Sequence, residues 1–358
     1  MRKITYLATL TLGCGFSALS FAGNDSWYPI NVDVWDPPFD MESPTHQAAY
    51  TPLEKASKAW DICVSFPHMK DPYWLAVNYG VADEAKRLGV NMQLFEAGAY
   101  TNLDTQISQV ENCISRGADA VVLAAISYDG LNRLIEDVTS QGIPVIDLIN
   151  GVSSPNISAK SLVSFYKLGH MAGSYLADSY PEGEDPVKVG WFPGAAGAGW
   201  AEDGNRGFND AIEGSAVEIV DTQYGDASQE IQMGLVENVL AAHPDLDYII
   251  GATTTAEGAA NLLRSRGMTG QISVMPYYYS VGVHRGITRG EILAAPTDSA
   301  AIQGRIAIDQ AVRVLEGEDY MQHVGPELFI ISQDNVNSFD QQTSLAPDGW
   351  RPVFSVQQ

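Results

Sequence analysis

The chain has 358 residues, of which 45% are hydrophobic and 18% charged, a globular composition with room for two ordinary domains. Its 44 acidic and 20 basic residues give a formal net charge of −24. A surface this acidic repels nucleic acid and anionic membranes, so we expect no nucleic-acid partner, whereas a cationic or zwitterionic ligand is compatible with it. An ordinary solvated surface also accounts for the charge.

The first 22 residues have the parts of a cleavable signal peptide. Arg2 and Lys3 precede an apolar stretch without charges, and small residues place cleavage after Ala22. A retained membrane anchor fits less well because the stretch is rich in small and hydroxyl residues. A lipoprotein anchored at Cys14 lacks the usual Leu three positions earlier. We therefore expect an exported chain with no direct membrane insertion.

Strands and helices alternate from Asp61, after a segment at residues 23–60 that we expect to be extended and to lie against the body. Strands are predicted at 61–67, 90–97, 118–126 and 143–150, with helices at 72–88, around 103–114 and at 130–142. This uninterrupted alternation, with its continuous apolar third strand, is typical of a doubly wound α/β domain whose parallel sheet is covered on both faces.

The alternation restarts in the second half of the chain. Further strands are predicted at 188–194, 217–226, 245–252, 272–278, 291–298 and 327–334, with helices after the first three of these and at 299–317. Two lobes of like pattern predict a hinged cleft. Ligands of such sheets bind outside the carboxyl ends of the strands, so the residues just after the strands are candidate site residues.

Two cysteines remain once a signal peptide is removed, Cys63 on the first strand and Cys113 near the end of the second helix. In a doubly wound sheet that helix crosses over the first strand, because the second and third strands lie on either side of it. An oxidising compartment then favours a Cys63–Cys113 disulfide that closes a loop of about 50 residues. Two buried thiols are the alternative.

Sequence motifs of catalysis are absent. The six His have neither HExxH nor HxxxH spacing, there is no CxxC pair, and no GxSxG follows the signal peptide. The glycine-rich stretch at 194–200 lacks the third glycine of a dinucleotide loop and the Lys of a P-loop. We therefore expect no enzyme activity, catalytic residue, metal or cofactor, and interpret this stretch as a permissive turn or a lining of the cleft.

Aromatic residues recur after the predicted strands of both lobes. They are Tyr73, Trp74, Tyr100, Phe165, Tyr166, Trp200, Tyr277, Tyr278 and Tyr279, with acids at Asp71 and Asp298. Core packing explains any one of them, but their joint occurrence favours a lined cleft. Aromatic faces attract a quaternary ammonium group by about 0.5–2 kcal/mol per contact, whereas a sugar site needs more hydrogen-bonding side chains. The pattern favours a methylated amine.

Five stretches resemble type I periplasmic binding proteins of the ribose-binding kind, in particular members that sense trimethylamine N-oxide (TMAO). They contain DPYW at 71–74, EAGAY at 96–100, SFYKLG at 164–169, MPYYY at 275–279 and GWRPVF at 349–354. The resemblance implies an α/β fold of two doubly wound parallel-sheet lobes joined by a multi-strand hinge. The implied N-terminal lobe is 61–165 plus 296–325, and the implied C-terminal lobe is 166–295 plus 326–358.

The resemblance also implies a function. It implies a non-enzymatic periplasmic protein that binds TMAO between its lobes and presents that state to the periplasmic domain of a sensor histidine kinase controlling anaerobic TMAO respiration. The implied ligand-binding residues are Asp71, Tyr73, Trp74, Tyr100, Phe165, Tyr278 and Asp298, and Phe165 stands where we expect Trp in this family. The alternatives are the solute-binding subunit of an ABC importer for a sugar or methylamine and a LuxP-like receptor for a sugar-derived autoinducer.

Overall fold

Two parallel sheets, one in each lobe, organise the computed structural model, which describes residues 27–358. The predicted signal peptide lies outside the described residues. The strands are β1 (Ile30–Trp35), β2 (Thr45–Tyr50), β3 (Asp61–Phe66), β4 (Asn91–Glu96), β5 (Ala120–Leu123), β6 (Val145–Leu148), β7 (Ala159–Ser161), β8 (Val187–Gly194), β9 (Val217–Tyr224), β10 (Tyr248–Gly251), β11 (Ser273–Pro276), β12 (Ala294–Thr297), β13 (His323–Pro326), β14 (Phe329–Ser332) and β15 (Ser355–Val356). The helices are α1 (Pro72–Leu88), α2 (Leu103–Ser115), α3 (Asn132–Thr139), α4 (Phe165–Ala177), α5 (Gly199–Ile212), α6 (Gln229–Ala242), α7 (Thr253–Ser265), α8 (Val281–Arg289) and α9 (Ala300–Glu316).

The N-terminal lobe is built on one sheet with the strand order β15-β4-β3-β5-β6-β7-β13-β1-β2. Strands β4 to β13 in this order are parallel, and β15, β1 and β2 add antiparallel edges. Helices α1 and α9 pack together on one face, and α2 and α3 lie on the other. The four residues of β5 are all buried, as expected for a strand between two helical layers.

The C-terminal lobe has a parallel sheet with the order β11-β10-β8-β9, and β12 and β14 form an antiparallel pair beside it. Helix α4 packs along α5 and is an element that the sequence analysis did not predict. Its start is encoded locally, because the hydroxyl of Ser164 accepts a hydrogen bond from the backbone N–H of Lys167. The prediction of two doubly wound α/β lobes is confirmed.

Helix α1 has the bounds predicted from the sequence, and its end residues explain why. The carboxylate of Asp71 caps the helix by accepting a hydrogen bond from the backbone N–H of Trp74, and Pro72 occupies the first turn, where no donor is needed. Gly89 ends the helix, after Lys86 and Arg87 have placed positive charge on its last turn. These signals all lie within a few residues of the element they define.

The predictions for the N-terminal segment and the C-terminal tail can both be compared with the structure. The described part of the segment at 23–60 is extended and contains the hairpin β1–β2, which pairs with β13 of the N-terminal lobe. The tail requires a correction, because 326–358 was assigned to the C-terminal lobe and yet β15 pairs with β4 of the N-terminal lobe. The free edge of β4 and the fully buried Asn78 on α1 hold it there.

We call Asn78, Trp350 and Val353 the tail clamp. The Oδ1 atom of Asn78 accepts from Trp350 Nε1 at 3.0 Å and from the backbone N–H of Val353 at 2.9 Å, and its Nδ2 donates to the Val353 carbonyl at 2.8 Å. Within the described residues the chain therefore passes between the lobes in four places, at 162–164, 298–299, 327–328 and 346–354. These connections form the hinge.

Cys63 on β3 and Cys113 near the end of α2 are joined as a disulfide, with their Cα atoms 6.1 Å apart. The two residues lie where the crossover of α2 over β3 places them. Between Trp27 and Gln358 the structure contains no helix that is long and apolar enough to cross a membrane, and no cluster of side chains that could hold a metal ion.

Candidate ligand-binding site

A cavity lies between the lobes, at the carboxyl ends of the strands. It contains about 270 Å³ of space free of protein atoms, part of it open to solvent. It is lined by Asp71, Tyr73, Trp74, Tyr100, Ile149, Asn150, Phe165, Trp200, Ala227 and Tyr278. Sites for drug-sized ligands occupy about 300–1,000 Å³, so this cavity, part of which is open to solvent, suits a smaller ligand.

Each lining residue belongs to a segment that follows a strand. In the N-terminal lobe, Tyr73 and Trp74 lie on the first turn of α1 after β3, Tyr100 follows β4, and Ile149 and Asn150 follow β6. Parallel strands bring their carboxyl ends to one edge of the sheet, so segments far apart in sequence converge there.

The C-terminal lobe supplies the opposite wall by the same principle. Trp200 follows β8 at the start of α5, Ala227 follows β9, and Tyr278 follows β11. Phe165 begins α4, directly after the first connection between the lobes. The lobes also meet at the cavity rim, where the backbone N–H of Tyr100 donates to Asp226 Oδ2 at 3.3 Å.

The aromatic side chains form a continuous ring around the cavity, which we call the aromatic cage. Neighbouring ring centroids are separated by 5.6 Å for Tyr73–Trp74, 5.3 Å for Tyr73–Tyr278, 6.2 Å for Tyr278–Phe165, 6.0 Å for Phe165–Trp200 and 5.9 Å for Trp200–Tyr100. The buried ring of His68 closes the circuit by contacting Trp74 and Tyr100. A ligand in this space meets aromatic rings on most sides.

Asp71 is the acid that faces the cavity. Burial raises the pKa of Asp71 to about 7, and the nearby charges of Glu257 and Asp226 act in the same direction. Its Oδ2 lies 3.8 Å from Nε2 of His68, whose own pKa is lowered to about 4 by burial, so that His68 is neutral near pH 7. The Asp71 carboxyl can therefore hold or release a proton near neutral pH.

Six of the seven residues expected to bind ligand line this one cavity, and Asp298 does not. Asp298 lies behind Tyr73, whose hydroxyl donates to Asp298 Oδ2 at 2.5 Å, and Gln303 Nε2 donates to the same atom at 2.9 Å. Burial raises the pKa of Asp298 to about 6. Asp298 lies in the connection at 298–299, and its hydrogen bond with Tyr73 supports the wall of the cage.

The sequence analysis did not assign four of the lining residues to the site. Trp200 was noted as an aromatic residue after a strand, at the end of the stretch 194–200 that was interpreted as a turn or a lining of the cleft. Ile149, Asn150 and Ala227 carry no distinctive local signal beyond their places at strand ends. Asn150 Nδ2 donates to the Tyr100 hydroxyl at 3.1 Å. That hydroxyl is therefore an acceptor from Asn150, and its own proton is available to a ligand.

The ionisable carboxyl that lines the cage belongs to Asp71. None of the lining residues, all of them within the described chain, is basic. The carboxylates of Asp226 and Glu257 lie near enough to affect the pKa of Asp71. An aromatic cage without a basic lining residue attracts a positively charged nitrogen that carries apolar groups. The cavity offers binding contacts and no arrangement of nucleophile and base.

Comparison with known proteins places these features in context. A family profile described as a periplasmic binding protein domain matches residues 62–319. The periplasmic protein TorT of Escherichia coli K12 is 36% identical over 318 residues, which cover 89% of this chain and 90% of that protein.

Two solved structures are similar over most of the chain. A crystal structure of an ABC transporter solute binding protein from Bradyrhizobium sp. BTAi1 with bound bis-tris is 54% identical, with a TM-score of 0.80 over 92% of this chain and 99% of that chain. The complex of the TorS sensor domain with TorT, solved in the absence of ligand and in the presence of TMAO, contains a chain that is 32% identical. Its TM-score is 0.76 over 82% of this chain.

Proposed function

This chain belongs to the periplasmic binding proteins, a family of non-enzymatic binding proteins. On that premise we propose that it binds TMAO in the aromatic cage, and that binding of TMAO changes its interaction with a sensor histidine kinase. The predicted signal peptide and the periplasmic relatives favour the periplasm as its compartment. The observation that carries the proposal is the aromatic cage, which surrounds a small cavity beside a buried acid.

The two ends of TMAO match different parts of the cavity. Its trimethylammonium end is cationic and apolar, and suits the faces of Tyr73, Trp74 and Tyr278. Its oxygen carries negative charge and needs hydrogen-bond donors. A protonated Asp71 carboxyl and the Tyr100 hydroxyl are both in place to donate. A neutral dipole of this kind does not require the carboxyl to ionise in a buried site.

The kinase partner is proposed from the relatives. TorT forms a complex with the TorS sensor domain, and that complex has been solved with TMAO. In this chain the ligand contacts both lobes, so it stabilises the closed arrangement by its differential affinity. A sensor domain that contacts both lobes then distinguishes the closed arrangement from an open one.

A second function has specific support. The Bradyrhizobium relative at 54% identity is described as an ABC transporter solute binding protein, and the bis-tris it binds is a tertiary amine with hydroxyl groups. The solute-binding subunit of an importer for a methylamine is therefore the alternative. An importer subunit releases its ligand to a permease, whereas a sensor subunit changes the affinity of its partner.

Calorimetric titration tests the ligand first. We expect TMAO to bind and ribose not to bind, and binding of ribose without TMAO would overturn the methylamine proposal. The titration is then repeated with the periplasmic domain of the cognate kinase, whose affinity for the protein is measured with and without saturating TMAO. The two effects must be equal by thermodynamic linkage. TMAO binding without any change in kinase affinity favours the importer.

A further inference from the structure

We propose that Trp200 is a specificity-determining residue of the cage: its indole limits the ligand to a trimethylammonium group with no substituent larger than an oxygen atom. This inference deepens the proposed function and depends on it. It assigns to Trp200 the selection among methylamines, which Tyr73, Trp74 and Tyr278 cannot make because they face the trimethylammonium end that these ligands share.

Trp200 contacts aromatic residues of the cage from both lobes. Its side chain is 4% exposed and lines the cavity. Its ring centroid is 5.9 Å from Tyr100 of the N-terminal lobe and 5.8 Å from Tyr278 of the C-terminal lobe. Replacing an indole here by a small side chain adds volume directly to the cavity, since no other side chain separates Trp200 from it.

The backbone of β8 is shaped to accept this indole. Gly194, the last residue of β8, has φ +122°, a conformation that L side chains rarely adopt. A Cβ atom at Gly194 would lie 2.1 Å from Cη2 of Trp200, so the indole rests against bare backbone. The ring also lies nearly parallel to Tyr277, at 6.4 Å between centroids. Trp200 is thus held in place and does not move aside for a larger ligand.

The indole N–H gives a second reason. Among the side chains that line the cavity, that of Trp200 has a buried polar atom, Nε1, with no hydrogen-bond partner of ordinary geometry in the described residues. The indole N–H lies near the Tyr100 hydroxyl and acts to lower the pKa of Tyr100, but no hydrogen bond of ordinary geometry joins the two. A buried donor without a partner is costly, and an acceptor oxygen on the ligand offsets that cost. The oxygen of TMAO is such an acceptor, and choline has only a hydroxyl at a greater distance from its nitrogen.

The test compares three ligands of increasing substituent size, TMAO, glycine betaine and choline, by calorimetry. For the unaltered protein we expect TMAO to bind at least about tenfold more tightly than the other two. Trp200→Ala enlarges the cavity, so we expect TMAO to lose about tenfold in affinity and betaine to gain about as much, which reverses the order. Trp200→Leu keeps an apolar side chain in the core and should shift the order in the same direction.

Trp191→Phe is the matched control. Trp191 is a fully buried tryptophan of the same lobe, which stacks on Phe208 at 4.2 Å and does not line the cavity. We expect this variant to keep the TMAO preference. If both Trp200 variants fold and keep the order of the three ligands, the assignment of Trp200 is overturned while TMAO binding stands. If the unaltered protein binds none of the three, the proposed function itself is overturned, and the role of Trp200 with it.

Discussion

The tail clamp and the aromatic cage both contain buried polar atoms, but these atoms differ in whether they form hydrogen bonds. In the tail clamp, both polar atoms of Asn78 form hydrogen bonds, three in all. At the cage, Nε1 of Trp200 and Nε2 of His68 form no hydrogen bond of ordinary geometry within the described residues, and burial raises the pKa of Asp71 to about 7. Satisfied groups stabilise the fold, whereas a buried polar group without a hydrogen bond is costly unless a ligand supplies one.

This difference predicts a separation of effects. Changes in the framework, meaning the disulfide and the tail clamp, should lower the free energy of unfolding and leave ligand affinity nearly intact. Changes in the cage should do the reverse. The following experiments are arranged from the largest expected effect to the smallest, and each of them can contradict the separation.

Removal of the disulfide should have the largest effect on stability. The Cys63→Ala/Cys113→Ala double variant loses a link across 50 residues of sequence, which lowers the free energy of unfolding by about 4 kcal/mol in the chain-entropy description. Urea denaturation measures this, and mass spectrometry of unreduced protein checks that the bond forms. Two free thiols in the unreduced protein, or equal stability of the two forms, would contradict the prediction. TMAO affinity should not change.

Asn78→Ala should have the next largest effect. It leaves Trp350 Nε1 and both backbone groups of Val353 without their partner, which costs about 1–3 kcal/mol for each buried group that water cannot reach, and we expect about 3 kcal/mol in total. Asn209→Ala, at an exposed position on α5, is the control and should change stability by less than about 0.5 kcal/mol. A large loss of TMAO affinity in Asn78→Ala would break the separation.

Tyr278→Leu tests the cage from the other side. It removes an aromatic face and keeps an apolar side chain, so TMAO affinity should fall by about 1–2 kcal/mol. Tyr248→Leu is the control, because Tyr248 is a half-buried tyrosine of the same lobe that bonds to Tyr180 away from the cavity. Calorimetry should find normal TMAO affinity in the control. Equal affinities in the two variants would mean that Tyr278 serves only in packing.

Per pH unit, the smallest expected effect is the pH dependence that arises from Asp71, at most about 1.4 kcal/mol. Burial raises the pKa of Asp71 from 3.8 to about 7, so between these values the native state holds a proton that the unfolded chain has lost. The contribution of Asp71 to the free energy of unfolding therefore decreases as pH rises through this window and is lowest above about pH 7. Asp71→Asn should flatten this dependence in thermal melts taken from pH 5 to pH 8.

The same proton should affect binding. If the protonated carboxyl of Asp71 donates to the oxygen of TMAO, affinity weakens above about pH 7 by less than about tenfold per pH unit. Tetramethylammonium, a permanent cation without an oxygen, should show the opposite trend because it prefers the ionised carboxylate. Parallel trends for the two ligands would show that Asp71 does not contact the oxygen.

Local signals allowed the fold to be predicted, and distant contacts limited the prediction of the site. The bounds of α1 follow from Asp71, Pro72 and Gly89, which lie at its ends, and the alternation of elements indicated both sheets. Helix α4 was not predicted because it begins directly after a connection between the lobes, where no strand was predicted to precede it.

Contacts across the chain explain the remaining differences. The support that Asp298 gives to Tyr73 joins residues 225 positions apart, and no local pattern shows that Asp298 lies behind the ring rather than in the cavity. Trp200 could be noted as an aromatic residue after a strand, but its place beside Tyr100 depends on how the two lobes meet. The tail clamp likewise depends on Asn78 and Val353, which are 275 positions apart.

The return of the tail to the N-terminal lobe has a mechanical consequence. Four chain connections at separate places restrict the relative motion of the lobes, and the motion that they leave is close to a rotation about one axis. Residues near both ends of the described range, Trp27 and Gln358, are bonded to the N-terminal lobe, through Glu84 and Asn91. A protein attached to a surface through Gln358 is therefore held by its N-terminal lobe, and the C-terminal lobe is the one free to rotate. A probe on α5 should then record each closure as a single angle.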